Sequence, residues 1–385
     1  MTAPEVRRPP RDRHAATAPA PDEAIDVDIR VAGLVTLRLL GVRPGDRSAV
    51  ERQYGTGRAI GSGPADVTIR YCDDVGGRDQ VLRYLGPGAS GFTEDGFVIL
   101  RGRFRRPVRV VFPGADLGGP CELRCEHGVG RVPHLVALVN LAVLNRGGVA
   151  LHASAFERDG TATMATGWSK GGKTEALLAA CDSGATYVSD EWTHIRPDRT
   201  VSGTWEPVRA WDWQLEQLPW LRERLTRGER TRLAALRLAE RTARTVRATP
   251  RITTAIARNR FVDVVPETVA GRPIPSRPVP LGQVLLMTAT DRPLTWSRPL
   301  SSREVADRMA ASLAFERGPL AEAVAAYRFA FPKASVDAFD AVPEIERERL
   351  RSLLAGIPAA EVLHPYPVDL HQLADTIALS REDHR

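Results

Sequence analysis

Residues 167–174 read GWSKGGKT, and this glycine-rich stretch decides how the rest of the chain is interpreted. It matches the phosphate-loop pattern G-x-x-x-x-G-K-[ST] at every fixed position. Glycines let successive backbone N–H groups converge on a phosphate, and the following helix presents its positive end to the same anion. Lys173 is predicted to contact the β- and γ-phosphates, and Thr174 to offer its hydroxyl to Mg²⁺. ATP and Mg²⁺ are therefore the predicted cofactors, with nucleotide-binding residues Gly167, Trp168, Ser169, Lys170, Gly171, Gly172, Lys173, Thr174 and Glu175.

The segments on either side of the loop have the periodicity that a phosphate loop requires. Residues 149–156 and 161–166 are β-prone runs joined by a turn, so a hairpin leads into the loop. A helix from residue 173 to about 180 and a strand at residues 186–189 follow. Because the pattern lies between a strand and a helix, it favours nucleotide binding over a structural glycine turn.

Two adjacent acids follow the strand after the loop. Asp190 lies sixteen residues past Thr174, and Glu191 follows it directly. A short helix and a returning strand would therefore bring both acids back beside the loop. One of them can hold Mg²⁺ or accept a proton from an incoming hydroxyl. The alternative is a solvated acidic turn.

His152 lies on the strand that pairs with the one feeding the loop. Hairpin pairing carries this strand alongside the loop, where His152 can touch the transferred phosphate or its acceptor. A structural strand histidine is the equally weighted alternative.

Together these residues resemble a known family. Residues 151–195 are similar to the catalytic core of HPr serine kinase/phosphorylase, which shares the phosphoenolpyruvate-carboxykinase-like fold. Residues 363–367, LHPYP, look like the ending of diverged members of this group. The matching residues are His152, Gly167, Ser169, Gly172, Lys173, Thr174, Glu175, Asp190 and Glu191.

The resemblance implies an Mg-ATP-dependent kinase that phosphorylates a hydroxyl, with one paired acid as base and the other near the metal. Lys170 stands where the family usually has glycine, and Glu191 replaces its usual second aspartate. The glycine-rich second signature of true HPr kinases does not follow the acids, which argues against HPr as the substrate. The implied catalytic residues are Asp190, Glu191, Lys173 and His152, and the metal ligands are Thr174, Asp190 and Glu191.

Composition excludes several classes of protein. No stretch of the 385 residues approaches the about 20 apolar residues that span a bilayer. Four cysteines do not form a disulfide framework, and the first residues lack an apolar signal core, so a cytoplasmic protein is expected. Arginine supplies 50 of the 53 basic residues, and two of the three lysines lie in the glycine-rich loop.

The domain organisation follows from changes in pattern along the chain. The prediction is an α/β (α+β) protein with a P-loop-containing, HPr-kinase-like catalytic domain at 132–385 behind a small β-rich domain at 25–131. Residues 1–24 are predicted to be a disordered tail. An amphipathic helix is predicted from residue 135 to about 146, and an arginine-rich helical insertion at 211–248. Later predicted elements are an extended connection at 271–280, a strand at 283–287 and helices at 301–315 and 345–355.

Acceptor recognition is assigned to the tryptophan- and arginine-rich insertion. One interpretation is a mobile helical lid that clamps a peptide or a phosphate-bearing acceptor. The other is that the tryptophans are core residues and the arginines a solvated face. Arg209, Arg258 and Arg260 are candidate phosphate ligands by position alone.

The leading functional hypothesis is a kinase whose acceptor is a serine or similar hydroxyl on a peptide or small molecule, in a biosynthetic pathway. The rival is a nucleotide-dependent regulatory module that transfers no group. A metabolic carboxykinase is disfavoured, because no carboxylate-substrate signature is found. A membrane is not an expected partner, because no apolar stretch is long enough to span one. A nucleic acid is not expected either, because no nucleic-acid-binding module is recognised. A homo-oligomer is left open.

Overall fold

The computed structural model describes residues 23–77, 82–84, 90–94, 96–101, 108–114, 117, 119–245, 249–271, 274, 277–334 and 336–382. The tail predicted at 1–24 lies almost wholly outside the described residues, as do parts of the connection predicted at 271–280 and the end of the insertion. The protein mixes helices with two large sheets, which confirms the α+β class.

The first sheet is built from residues before 127. Its strands are β1 (Ile25–Val31), β2 (Val35–Val42), β3 (Val67–Cys72), β4 (Arg83–Tyr84), β5 (Ser90–Thr93), β6 (Gly96–Arg101), β7 (Val108–Pro113) and β8 (Cys121–Glu126). They pair in the order β1-β2-β3-β8-β7-β6-β5-β4, with β2, β3 and β8 parallel and the others antiparallel. Alternate residues of β3 and β8 are buried, so one face of this sheet covers a core.

The second sheet carries the glycine-rich loop. Its strands are β9 (Val149–Arg158), β10 (Thr161–Gly167), β11 (Thr186–Ser189), β12 (Trp192–Ile195), β13 (Thr200–Gly203), β16 (Val279–Ala289), β17 (Trp296–Pro299) and β18 (Ala359–His364), and a separate pair is formed by β14 (Val208–Trp211) and β15 (Phe261–Val264). The path β10-β9-β12-β13-β16 closes on itself because β16 also pairs with β10 in parallel. β9 is the hub, since it pairs with β10 on one edge and with β11 and β12 on the other.

Helices flank both sheets. They are α1 (Pro44–Tyr54), α2 (Leu135–Asn145), α3 (Lys173–Asp182), α4 (Asp212–Gln217), α5 (Pro219–Arg224), α6 (Arg227–Thr245), α7 (Pro250–Ala257), α8 (Pro266–Ala270), α9 (Ser302–Glu316), α10 (Gly318–Ala330), α11 (Asp337–Asp340), α12 (Val342–Leu354) and α13 (Leu370–Glu382). Ser301 caps the start of α9, since its side chain accepts a hydrogen bond from the Glu304 N–H. None of the helices in the described part of the chain is long and apolar enough to cross a membrane.

The hydrophobic core is continuous across the boundary predicted at residue 131. One buried cluster joins strands of the first sheet to α2, β9 and α9, with Leu39, Val139, Leu151 and Val305 all inaccessible to solvent. A second cluster fills the opposite face of the second sheet, between α3, the arginine-rich helices and α13. Two layers therefore enclose the strand that delivers the loop, which holds its end in a fixed position.

Candidate active site

The glycine-rich loop leaves the carboxyl end of β10 and enters α3. Gly167 and Gly172 have φ of 149° and 100°, and a Cβ at Gly172 would overlap the His364 ring. These positions need glycine, because an L side chain there is both strained and obstructed. Lys170, at the position where the resembling family has glycine, adopts φ of 61° and is exposed.

Lys173 folds back over the loop that contains it. Its Nζ donates to the carbonyl oxygen of Trp168 at 2.9 Å and lies 3.5 Å from that of Gly167. The side chain is buried, and burial lowers the pKa of Lys173. Its hydrogen bonds go to backbone carbonyls, so no carboxylate among the described residues lies within ion-pair distance of the ammonium, but Glu191, Asp190 and Glu316 favour its charged form from farther away.

Thr174 and Asp190 meet at the start of α3. The Thr174 hydroxyl lies 3.2 Å and 3.1 Å from the two Asp190 carboxylate oxygens, because β11 pairs with β9 and returns the chain to the loop. Asp190 is only 2% exposed. Burial, together with the neighbouring charge of Glu191, raises the pKa of Asp190 to about 7. The carboxyl thus changes protonation state near neutral pH.

Glu191, His152 and Glu316 form a hydrogen-bonded chain beside this pair. His152 Nε2 lies 3.1 Å from Glu191 Oε2, and its Nδ1 lies 2.7 Å from Glu316 Oε1. Burial disfavours the imidazolium, but the two hydrogen bonds outweigh it and raise the pKa of His152 to about 9. The same hydrogen bond from His152 lowers the pKa of Glu191. At neutral pH the chain is therefore a cation held between two carboxylates.

Local backbone geometry directs Glu191 into this position. Glu191 has φ of 62°, a conformation that non-glycine residues seldom adopt, and its carbonyl accepts from the Ala153 N–H at 3.1 Å. The next residue, Trp192, pairs with His152 across the strands and stacks on its ring at a centroid distance of 5.7 Å. Strain at such a residue is typical of functional sites.

Two residues that pattern reasoning did not assign complete the surroundings. Glu316 ends α9, 164 residues from His152, so no local signal connected them. His364, noted only within the LHPYP stretch, lies under the loop with Nε2 2.8 Å from the Gly171 carbonyl oxygen and Nδ1 2.8 Å from that of Pro365. It is buried and supports the loop from the end of β18.

Glu175 is hydrogen-bonded to a residue of α4. It is buried in α3 and accepts a hydrogen bond from Gln214 Nε2 at 3.0 Å, and burial raises its pKa. Trp213, next to Gln214, packs edge-on against the exposed Tyr366. Trp168 is 52% exposed and packs on Phe315, the neighbour of Glu316. One aromatic pair therefore includes the loop residue Trp168, and the other includes Tyr366, two residues after His364.

Three arginines in and beside α6 are paired with acids of the same segment, namely Arg237, Arg244 and Arg260. Arg237 donates twice to the Asp212 carboxylate at 2.6 Å, and Arg260 is paired with both Asp212 and Glu240. Arg209 pairs with Asp263 at 3.0 Å, although it also lowers the pKa of Glu191 as a minor contribution behind the hydrogen bond from His152. Among the arginines predicted as phosphate ligands, Arg209 thus influences the pKa of Glu191, whereas Arg260 is paired with Asp212 and Glu240.

The donor set fits magnesium better than a transition metal. A hydroxyl and a carboxylate are hard oxygen ligands, and Mg²⁺ usually takes one or two carboxylates with phosphates and water. In the described part of the chain no group of three or more His, Cys, Asp or Glu side chains is placed to hold a metal ion. Of the three predicted metal ligands, the structure brings the oxygens of Thr174 and Asp190 together, while Glu191 is hydrogen-bonded to His152. No protein-family model matches this chain, and no curated protein matches it with significant similarity.

Proposed function

We propose that this protein is an Mg-ATP-dependent phosphotransferase of the HPr-kinase-like type, acting on an alcohol acceptor in the cytosol. The observation that carries the proposal is the convergence of three features on one point. These are the Lys173 ammonium over the loop, the Thr174–Asp190 pair at the start of α3, and the Glu191–His152–Glu316 chain beside them. Phosphoryl transfer needs this combination of anion binding, metal ligands and a proton acceptor.

The loop residues bind the nucleotide. The N–H groups around Gly171 and Gly172, at the start of a helix of ten residues, point their partial positive charge at the phosphates. Lys173 neutralises charge on the phosphoryl group as it moves. Thr174 and Asp190 would hold Mg²⁺, which would neutralise part of the negative charge of the phosphates.

Glu191 and His152 manage the acceptor proton. The acceptor oxygen forms a bond to the γ-phosphorus as the bond from that phosphorus to the β,γ-bridging oxygen breaks, and ADP leaves. The acceptor proton passes to the Glu191 carboxylate, whose side chain is 41% exposed. A weak base is sufficient because the transition state is loose, and the His152 imidazolium offsets the negative charge nearby.

The test uses ³¹P NMR of Mg-ATP mixed with the protein and a fraction of peptides and small molecules from the cells that make it. Wild type is compared with Lys173→Ala, and the matched control is Lys333→Ala, which removes the exposed lysine outside the loop. We expect a new phosphate-ester resonance with wild type and the control but not with Lys173→Ala. ATP that binds yet stays intact in every fraction would favour a nucleotide-dependent regulatory module instead.

A further inference from the structure

A pocket opens directly behind the His152 centre. It has a volume of about 220 Å³ and lies between the start of α2, the end of α9 and the start of α10. Two of its walls are Trp192, which stacks on His152, and Glu316, which is hydrogen-bonded to His152. A group in this pocket is therefore one side chain away from the residues proposed to take the acceptor proton.

The pocket is lined mainly by apolar side chains. Val132, Leu135, Leu141, Leu313 and Leu320 form its walls. Arg317 and Glu346 also line it, but they are paired with each other at 2.6 Å and 2.7 Å, so their charges are already matched. The volume is below the about 300–1,000 Å³ of pockets that take a whole drug-sized ligand. It suits an apolar group of about one amino-acid side chain.

A cation stands on the rim of the pocket. The Arg131 side chain is 72% exposed and lies 3.7 Å from Glu206, beyond hydrogen-bond distance. Burial, together with Glu191, raises the pKa of Glu206 to about 7, so at neutral pH that carboxyl compensates Arg131 only in part. The first turn of α2 lines the same pocket and contains no acidic residue, so its positive end adds to the field of Arg131. A guanidinium in this setting favours a carboxylate.

We infer that the acceptor is an amphipathic hydroxy acid, or a peptide residue of that chemistry. Its apolar group fills the pocket between α2, α9 and α10, its carboxylate pairs with Arg131, and its hydroxyl reaches the Glu191–His152 pair. That this ligand is the phosphate acceptor rests on the proposed function. The pocket and the chemistry of the ligand it fits rest on the residues named above.

The test measures ligand binding by saturation-transfer NMR on the full chain without nucleotide. The probe is 2-hydroxy-4-methylpentanoate, and it is compared with glycolate, which lacks the apolar group, and with the methyl ester, which lacks the charge. We expect both comparison compounds to bind at least about tenfold more weakly to wild type.

Two kinds of variant locate the binding. Arg131→Ala is expected to weaken the probe about tenfold and Arg131→Lys to restore part of the loss, whereas Arg241→Ala on the exposed face of α6 has no effect. Ala137→Leu and Val136→Phe fill the pocket from half-buried positions of α2 and should abolish binding, with Ala239→Leu as the control on an exposed helix face.

The outcomes separate the inference from the proposed function. The pocket assignment is overturned if wild type does not bind the probe, or if the pocket-filling variants fold and bind it as wild type does. If binding follows the predicted pattern but no phosphate ester ever forms from ATP, the pocket assignment stands and the kinase proposal is wrong. Lys173→Ala should keep probe binding in either case, because Lys173 does not line the pocket.

Discussion

The protein contains two clusters of buried charge, one at the glycine-rich loop and one in the arginine-rich segment. In the second cluster, Asp212 and Glu240 each form ion pairs with arginine guanidinium groups. Burial opposes ionisation of Asp212, but the hydrogen bonds from Arg237 and Arg260 outweigh burial and lower its pKa. At the loop, Asp190 and Lys173 shift the opposite way, since burial raises the pKa of Asp190 and lowers that of Lys173. The neighbouring His152, Glu191 and Glu316 shift toward their charged forms, as in the arginine-rich segment.

We interpret the arginine-paired acids as charge that holds the fold together, and Asp190 and Lys173 as part of the proposed nucleotide site. Ion pairs closed by arginine leave little for a substrate to add, and removing one partner of such a buried pair is expected to destabilise the fold. Carboxyl and ammonium groups shifted toward their neutral forms are costly to keep buried and cluster at functional sites. The proposed chemistry therefore depends on the loop lysine Lys173 and not on the number of arginines in the insertion.

The largest expected effect is on turnover at the loop cluster. Asp190→Asn keeps the shape of the side chain but removes the carboxylate, so phosphoryl transfer should fall by about a thousandfold or more. Burial of the ionised Asp190 carboxylate lowers the stability of the fold, and this cost grows as the pH rises from 3.8 toward 7. The variant, which lacks the carboxylate, should therefore have a higher melting temperature than wild type at pH 8. Enzyme assays and thermal melts at pH 8 check both parts. A variant that lost stability would contradict the comparison.

The matching change in the arginine-rich cluster should lower stability and leave turnover nearly unchanged. Asp212→Asn leaves Arg237 and Arg260 without their shared carboxylate, so the free energy of unfolding should fall by about 2–4 kcal/mol. Turnover at a temperature well below the melting transition should stay within about twofold of wild type, because Asp212 does not contact the loop cluster. Urea unfolding and steady-state assays on the same preparation measure the two effects. Large loss of turnover in the folded variant would assign chemistry to the second cluster.

The pH dependence of wild type sharpens the role of His152. Its imidazolium persists until the pH approaches about 9, so turnover should decline as the pH rises through that value. The raised pKa also means that His152 stabilises the fold fully below pH 6.5, and that this contribution is lost as the pH rises through about 9.

His152→Gln is the control for that profile. It should lower turnover by about a hundredfold and remove the decline near pH 9, because no titrating ring remains between Glu191 and Glu316. A decline that persists unchanged in the variant would assign the titration to another group.

The smallest expected effect is on the exposed arginines of α6. Arg241→Ala should leave turnover unaltered and shift the melting temperature by under about 1 °C, as for a solvated helix face. A clear rise in KM for the acceptor would instead support the interpretation of this segment as a clamping lid.

Local signals accounted for much of the fold around the site. The strand at 186–189 is observed with the predicted bounds, and α3 begins at Lys173 as the phosphate-loop pattern requires. Periodicity worked here because glycines, turns and short apolar runs mark each boundary. It gave no indication of α13 or β18, whose roles depend on packing against α3 and β16.

The site was predictable only where its residues are close in sequence. Lys173, Thr174, Asp190 and Glu191 lie within one strand–helix–strand unit, so spacing brought them together. Glu316 contacts His152 from the end of α9, and His364 contacts the loop from the end of β18. Helix periodicity and strand alternation predict which face of an element is buried, but not which distant loop its end contacts. Arg260 was singled out as a phosphate ligand by position, but its guanidinium is engaged by Asp212 and Glu240, which sequence distance concealed.

Isothermal titration of Mg-ATP tests most directly whether the loop cluster is a nucleotide site, since it needs no acceptor. We predict saturable one-to-one binding by wild type, by Lys333→Ala and by Asp212→Asn, and its loss in Lys173→Ala although that variant stays folded. Affinity should also weaken as the pH falls below about 7, where Asp190 becomes protonated and no longer offers a carboxylate to Mg²⁺. Absence of binding by wild type, or equal binding by Lys173→Ala, would contradict the account.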